Sequence, residues 1–263
     1  MQSSDQNKSA WNGSTYQSWL NRFGTPQEAA AKITADPLKR VSGALRHMGD
    51  DIKGQQIINL MGSNGNKAVA LALLGAELTV ADFSPENEQY ALELAAAAGV
   101  SLQYIVSDVL ELPQTLNGSY DIAFMEFGIL HYFTDLHPLL EVVARLLKPG
   151  GRLVLQDFHP ISTKLISSRG TTAKIRKHKV DGDYFDIALV EKEVSYSKYA
   201  ESGQVQEEKQ KVYLRNWTLG EIVTSIADTG LIIKTLEELP NQSSEVFDKG
   251  IPKTFTIVAE KAR

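Results

Sequence analysis

The stretch that most constrains this chain runs from Gln56 to Asp82. Ile57, Ile58 and Leu60 form an apolar run of strand length. Gly62 and Gly65 follow, and glycine tolerates sharp turns and close backbone approach. Lys67 to Leu74 is rich in helix formers, and Gly75 stands where a helix should stop. Leu78 to Ala81 is a second apolar run, closed by Asp82. The order strand, loop, helix, strand, acid predicts a βαβ unit. Such a unit sets a helix N-terminus and a carboxylate on one rim of a parallel sheet, where nucleotide-like ligands bind.

The chain beyond this unit repeats its logic. Ser84-Pro85-Glu86 opens a helix, with serine as cap and proline at the first position, that should end at Gly99. Strands are expected at Leu102–Val106, Tyr120–Met125 and Arg152–Gln156. A helix from Leu136 to Leu147 precedes the breaker Lys148-Pro149-Gly150-Gly151. Thr218, with Glu221 three residues on, starts a helix to Thr229, and Leu231–Leu236 and Thr254–Glu260 read as further strands. Strands alternating with helices indicate an open parallel sheet covered on both faces. The expected fold class is therefore α/β: Rossmann-like, doubly wound, with a mostly parallel seven-stranded sheet.

Two additions flank that core. Trp11, Tyr16, Trp19, Leu20 and Phe23 crowd one short segment, expected as a helix from Trp11 to Phe23. Thr25-Pro26-Gln27-Glu28 starts a second helix and Asp36-Pro37 a third. These aromatics read either as packing against the sheet or as a lid over a ligand. Ile161 to Lys179 is polar and basic. Asp183–Tyr199 and Gln204–Arg215 then alternate around Glu201-Ser202-Gly203, a hairpin signal. The expected division is a helical lid at 1–50, a cofactor-binding core at 51–160, a hairpin cap at 161–216 and the rest of the core sheet at 217–263.

Composition narrows the function classes. Net charge is -5, which argues against a nucleic-acid backbone as main partner. There is no cysteine, so thiolate catalysis and disulfides are excluded. Met1 to Lys8 is polar and expected to be disordered, with no apolar leader, and no apolar run approaches membrane-helix length. A soluble cytoplasmic protein, monomer or homodimer, with no membrane partner is the expectation.

The order of elements resembles the class I S-adenosylmethionine-dependent methyltransferases. Four stretches carry the resemblance: Ile57 to Gly65; Asp82; Asp108 within Ser107-Asp108-Val109-Leu110; and Tyr120 to Ala123 with Leu146 to Leu153. It implies S-adenosyl-L-methionine as cofactor, S-adenosyl-L-homocysteine as product and a small-molecule methyl acceptor. A carboxylate at a strand tip can accept from both ribose hydroxyls, a role that falls to Asp82, beside Phe83. An adenine amine needs an acceptor, a role that falls to Asp108, beside Val109. The loop through Met61, Gly62, Ser63 and Gly65 would offer its N–H groups to the amino-acid end. Here the chain departs from the family pattern. Asn59 stands where an acid is usual, and Met61 and Ser63 stand where two glycines are usual. Either the loop avoids positive φ or the cofactor sits differently.

The segment Glu126-Phe127-Gly128-Ile129-Leu130-His131-Tyr132-Phe133 follows the fourth strand on the same rim. Glu126 and Phe127 are expected against the cofactor, and Gly128, His131 and Tyr132 against the acceptor. Asp157-Phe158-His159-Pro160 ends the fifth strand there too, so His159 is the first candidate general base and His131 the second. A packed structural histidine is the alternative for each. Tyr16, Trp19 and Arg215 complete the candidate substrate set, and no metal site is expected. The basic run Lys174 to Lys179 reads as a solvated loop, or as a contact for an acidic substrate. Two other functions stay open: a methyltransferase fold that binds a nucleoside-like ligand without catalysis, and an NAD-dependent oxidoreductase.

Overall fold

A computed structural model describes residues 15–169, 177–194, 211–240 and 250–263. Three helices come first: α1 (Thr15–Phe23), α2 (Pro26–Ala35) and α3 (Pro37–Leu45). The core then alternates β1 (Gln56–Leu60), α4 (Asn66–Leu73), β2 (Glu77–Asp82), α5 (Pro85–Ala98), β3 (Gln103–Val106), β4 (Tyr120–Glu126), α6 (His137–Leu146) and β5 (Leu147–Phe158). Two short antiparallel pairs follow, β6 (Ile166–Arg169) with β7 (Lys177–Val180), and β8 (Leu189–Glu193) with β9 (Lys211–Arg215). The described chain closes with α7 (Leu219–Asp228), β10 (Ile232–Pro240) and β11 (Pro252–Glu260).

The main sheet has seven strands in the order β10-β11-β5-β4-β1-β2-β3. β1 to β5 run parallel, and β11 lies antiparallel between β5 and β10. Side-chain alternation divides the core between two faces, as strand geometry requires. Ile57, Ile122, Phe124 and Val154 pack with α1 to α5 residues such as Ile33, Val41, Val69 and Tyr90. Ile58, Leu60, Ala123, Met125 and Leu155 pack with α6 and α7 residues such as Leu139, Val143 and Ile226. Near-continuous burial along β1 and β4 is what a sheet covered on both faces demands.

Local signals in the sequence set the helix ends. Thr25 and Thr218 each form a capping box, with Glu28 and Glu221 respectively. Ser84 accepts from Asn87 N at the start of α5, and Gly99 ends that helix at φ 72°. The Lys148–Gly151 turn is a bulge within the first residues of β5 rather than a break before it. The register jumps from Tyr120↔Leu147 to Ile122↔Arg152. A Cβ on Gly151 would sit 3.0 Å from the Lys148 carbonyl oxygen, so glycine lets the bulge fold back. β6 and β7 were not expected in the polar segment, where no apolar periodicity announces them. The expected hairpin is represented by β8 and β9, and its turn at Glu201-Ser202-Gly203 lies outside the described residues. So do Trp11 and residues 174–176 of the basic run.

Candidate active site

The carboxyl ends of β1 to β5 open into a cavity of about 730 Å³. Its first wall is the loop leaving β1. Met61 has φ 52° and Ser63 φ 50°, the left-handed conformation, at the two positions where glycine was missed. The loop therefore keeps positive φ with side chains present, at about 1–2 kcal/mol for each non-glycine residue. Several bonds hold it there. Met61 N donates to Ala81 O at 2.7 Å, and Ser63 N to Asp82 Oδ2 at 3.1 Å. Tyr104 donates its hydroxyl to Ser63 O at 2.8 Å, and burial pushes that phenol well above its usual range.

The loop's glycines have different tasks. A Cβ on Gly62 would lie 2.6 Å from Asn59 Oδ1 and 2.8 Å from Val80 Cγ1, so no side chain fits. Gly65 caps α4 at φ 72°, and a Cβ there would meet Ala91 at 2.7 Å. Gly65 thus lets α4 approach α5 and does not itself line the cavity. Asn59 does line it, and its amide donates to Phe124 O at 3.3 Å.

Asp82 and Asp108 both line the cavity, at the ends of neighbouring strands. Asp82 is 7% exposed. Its Oδ1 accepts from Ser84 N and Asn87 Nδ2, and its Oδ2 from Ser63 N. Burial pushes its carboxyl above the usual range, and those bonds oppose the shift. Asp108 Oδ1 accepts from Leu110 N at 2.9 Å, which fixes the turn carrying Val109. Phe83 and Val109 lie on the same wall.

The opposite wall is the segment after β4. Phe127, a third non-glycine residue at positive φ (42°), is followed by Gly128 at 78°. Asp157, buried at the end of β5, holds this turn. It accepts from Gly128 N at 2.6 Å, from Leu130 N at 3.3 Å and, more weakly, from Ile129 N at 3.4 Å. Phe127 and Phe158 remain 40% and 43% exposed at the cavity, with ring centroids 5.4 Å apart. His131 and Tyr132 line the cavity, with their rings 4.6 Å apart. Burial holds His131 below its usual pKa, with Asp157 opposing the shift and Lys192 adding to it.

Trp19 reaches the cavity from α1, and its indole donates to Asn87 Oδ1 at 2.7 Å. Besides Gly65, three expected site residues lie elsewhere. His159 is 2% exposed and does not line the cavity. Its Nδ1 accepts from Ile161 N, so its Nε2 carries the proton and donates to Glu238 Oε1 at 2.6 Å. Its neighbour Phe158 points to the rim instead, as alternation along a strand requires. Arg215 stacks on Trp217 and bonds Glu221 and Thr134 O. Tyr16 donates its hydroxyl to Glu93, which pushes its pKa up to about 12. None of the three touches the cavity. Conversely, Arg40 and Lys67 line it and were missed. Lys67 is the second residue of α4, directly after the glycine loop, and that position was the available signal. Among the described residues, no three metal-ligating side chains converge, and no helix is long and apolar enough to cross a membrane.

Residues 61–155 match the family model described as a methyltransferase domain. A demethylmenaquinone methyltransferase of Thermus thermophilus is 34% identical over 40% of this chain and 48% of its own length. A ubiquinone biosynthesis O-methyltransferase of Xanthomonas oryzae is 28% identical over 56% of this chain and 63% of its own length. The chain thus spans less than two thirds of the length of each of these curated relatives. Among solved structures, an S-adenosylmethionine-dependent methyltransferase from Mesorhizobium loti aligns over 84% of this chain and 98% of its own, with TM-score 0.63 and 22% identity. One from Clostridium acetobutylicum aligns over 85% and 89%, with TM-score 0.60 and 14% identity. The seven-stranded fold is shared with these structures.

Proposed function

We infer that this chain is a class I S-adenosylmethionine-dependent methyltransferase that transfers a methyl group to an O, N or C nucleophile of a small-molecule acceptor; its fold, shared with solved methyltransferases, and the match of residues 61–155 to a methyltransferase domain support the reading. One observation carries the inference. Two carboxylates at adjacent strand tips, Asp82 and Asp108, share a cavity with a glycine-bearing loop at a helix start. The donor set fits the cofactor. Asp82 suits the two ribose hydroxyls, Asp108 the adenine amine, and the N–H groups of Gly62 and Asn64 in the 61–66 loop the amino-acid end. Phe83 and Val109 would flank the adenine, and Phe127 and Gly128 the sulfonium.

When bound, the cofactor supplies an electrophilic methyl group and leaves as S-adenosylhomocysteine. The protein's work is to position the acceptor and exclude water. Trp19 and the turn at 127–133 close two sides of the cavity. His131 is the base we assign, because it lines the cavity and its burial favours the neutral ring. A ring nitrogen of His131 would take the proton that an O–H or N–H acceptor loses at attack. His159 is assigned a structural role.

The exposed Phe127 and Phe158 rings support a planar, largely apolar acceptor, for which offset or edge contacts are favourable. Relatives named for demethylmenaquinone and ubiquinone biosynthesis support a ring of the quinol type. A thermal-shift panel with S-adenosylmethionine, S-adenosylhomocysteine, NAD and NADP tests the class. Stabilisation by the first two alone is expected. Stabilisation by NAD alone would make the chain an oxidoreductase instead.

A further inference from the structure

Arg215, expected among the substrate contacts, does not touch the cavity. It touches the turn that does. Its guanidinium donates to Thr134 O at 3.0 Å through Nη1 and to Glu221 Oε1 at 2.7 Å through Nη2. Its Cζ lies 3.5 Å from the centroid of Trp217, a cation–π stack. Trp217 in turn donates its indole N–H to Leu130 O at 2.9 Å. That carbonyl also accepts from Phe133 N, so both of its lone pairs are engaged. Two residues that follow β9 thus hold the carbonyls that bracket His131, Leu130 before it and Thr134 after it.

The grip is itself anchored. Glu221 is fixed in the capping box of α7 with Thr218, so Arg215 is held from a helix start as well as by the indole. Trp217 is buried in one apolar cluster with Ile129 and Leu130. Val212 and Leu214 of β9 belong to the other cluster, against which Tyr132 packs. From the sheet side, Asp157 accepts from Gly128 N and Leu130 N of the same turn. The sheet therefore holds the turn by its donors, and the cap holds it by its acceptors. Resting on the methyltransferase reading with His131 as base, we propose that Arg215 and Trp217 are positioning residues that aim the His131 ring into the cavity. The charges that bear on that ring are Asp157 of β5 and Lys192 of β8, with opposite effects. Residues 127–134 add no Asp, Glu, Lys or Arg of their own.

Nuclear magnetic resonance titration of the His131 ring in the full chain tests this, with His131→Asn identifying its signal. Trp217→Phe removes the indole donor and keeps a ring. Arg215→Lys keeps the charge and loses the planar fork that reaches Thr134 O and Glu221 together. Neither variant changes the net charge, so a shift reports position. In both, the His131 pKa should rise toward 6.5 as the loosened turn admits water to the ring. His47, which pairs with Glu237 just past α3, should titrate as in wild type. Affinity for S-adenosylhomocysteine should stay within about twofold by calorimetry, which shows the fold intact. An unmoved His131 in both variants overturns the proposal. So does a loss of affinity beyond about tenfold, because these residues would then be holding the whole cavity. No binding by wild type would sink the methyltransferase reading, and the titrations would still decide what aims the ring.

Discussion

Asp157 Oδ1 sits 2.6 Å from the backbone nitrogen of Gly128, a residue of the neighbouring strand's outgoing turn. Its second oxygen accepts from Leu130 N and, more weakly, from Ile129 N. One buried carboxylate therefore sets the turn that carries Phe127 and His131. Asp157→Ala strands those N–H groups, at about 1–3 kcal/mol for an unsatisfied buried donor. The melting temperature should fall, and hydrogen exchange should speed up across 127–133. Unchanged exchange there would show that the turn holds its own shape.

Met61 and Ser63 occupy left-handed backbone without being glycine. Met61→Gly and Ser63→Gly should relieve strain of about 1–2 kcal/mol each, partly offset by glycine's greater freedom in the unfolded chain. The net expectation is a small gain in denaturant midpoint for each variant. A clear loss would mean that side-chain packing, as of Met61 against the core, outweighs the strain.

His131 offers a pH signature. Burial, partly opposed by Asp157, lowers its folded pKa below its ordinary value of 6.5. A lowered pKa means that the neutral ring is favoured in the folded state. The associated stability is present above the ordinary value and is lost as pH falls through the folded value. The acid limb of kcat/KM should therefore lie below pH 6.5, and His131→Asn should remove it along with most turnover. A limb that survives in His131→Asn belongs to another group.

His159 should behave as a structural residue. Its ring joins Ile161 N to Glu238, away from the cavity. His159→Ala should destabilise the fold by about 1–3 kcal/mol, the range for losing buried hydrogen bonds. Affinity for S-adenosylhomocysteine should not change. Reduced affinity at an unchanged melting temperature would return His159 to the site.

The parts of the fold legible in the sequence were those written in local chemistry. Apolar runs at Ile57–Leu60 and Tyr120–Met125 located strands, and the Thr25, Ser84 and Thr218 caps located helix starts. The acids ending β2 and following β3 were legible for the same reason: a parallel strand's exit is always on the ligand rim. What the sequence hid depends on tertiary contacts. His131 and His159 look alike as histidines after strands, and only burial and a distant Glu238 separate them. The positive φ at Met61 and Ser63 was hidden because residue identity argues against it. Bonds from Ala81, Asp82 and Tyr104 impose it from outside the loop. Arg40 reaches the cavity from a helix far earlier in sequence, which no motif spacing records.

The most direct test is calorimetric titration of S-adenosylhomocysteine into wild-type protein and Asp82→Ala. Asp82 is 7% exposed, anchors the loop through Ser63 N and lies on the cavity wall. Wild type should bind at a single site, and Asp82→Ala should lose at least about 2 kcal/mol of that binding, the scale of charge-assisted hydrogen bonds. Circular dichroism should confirm that the variant is folded. Equal affinity in the two proteins, or no binding to wild type, would contradict the assignment of this cavity to the cofactor.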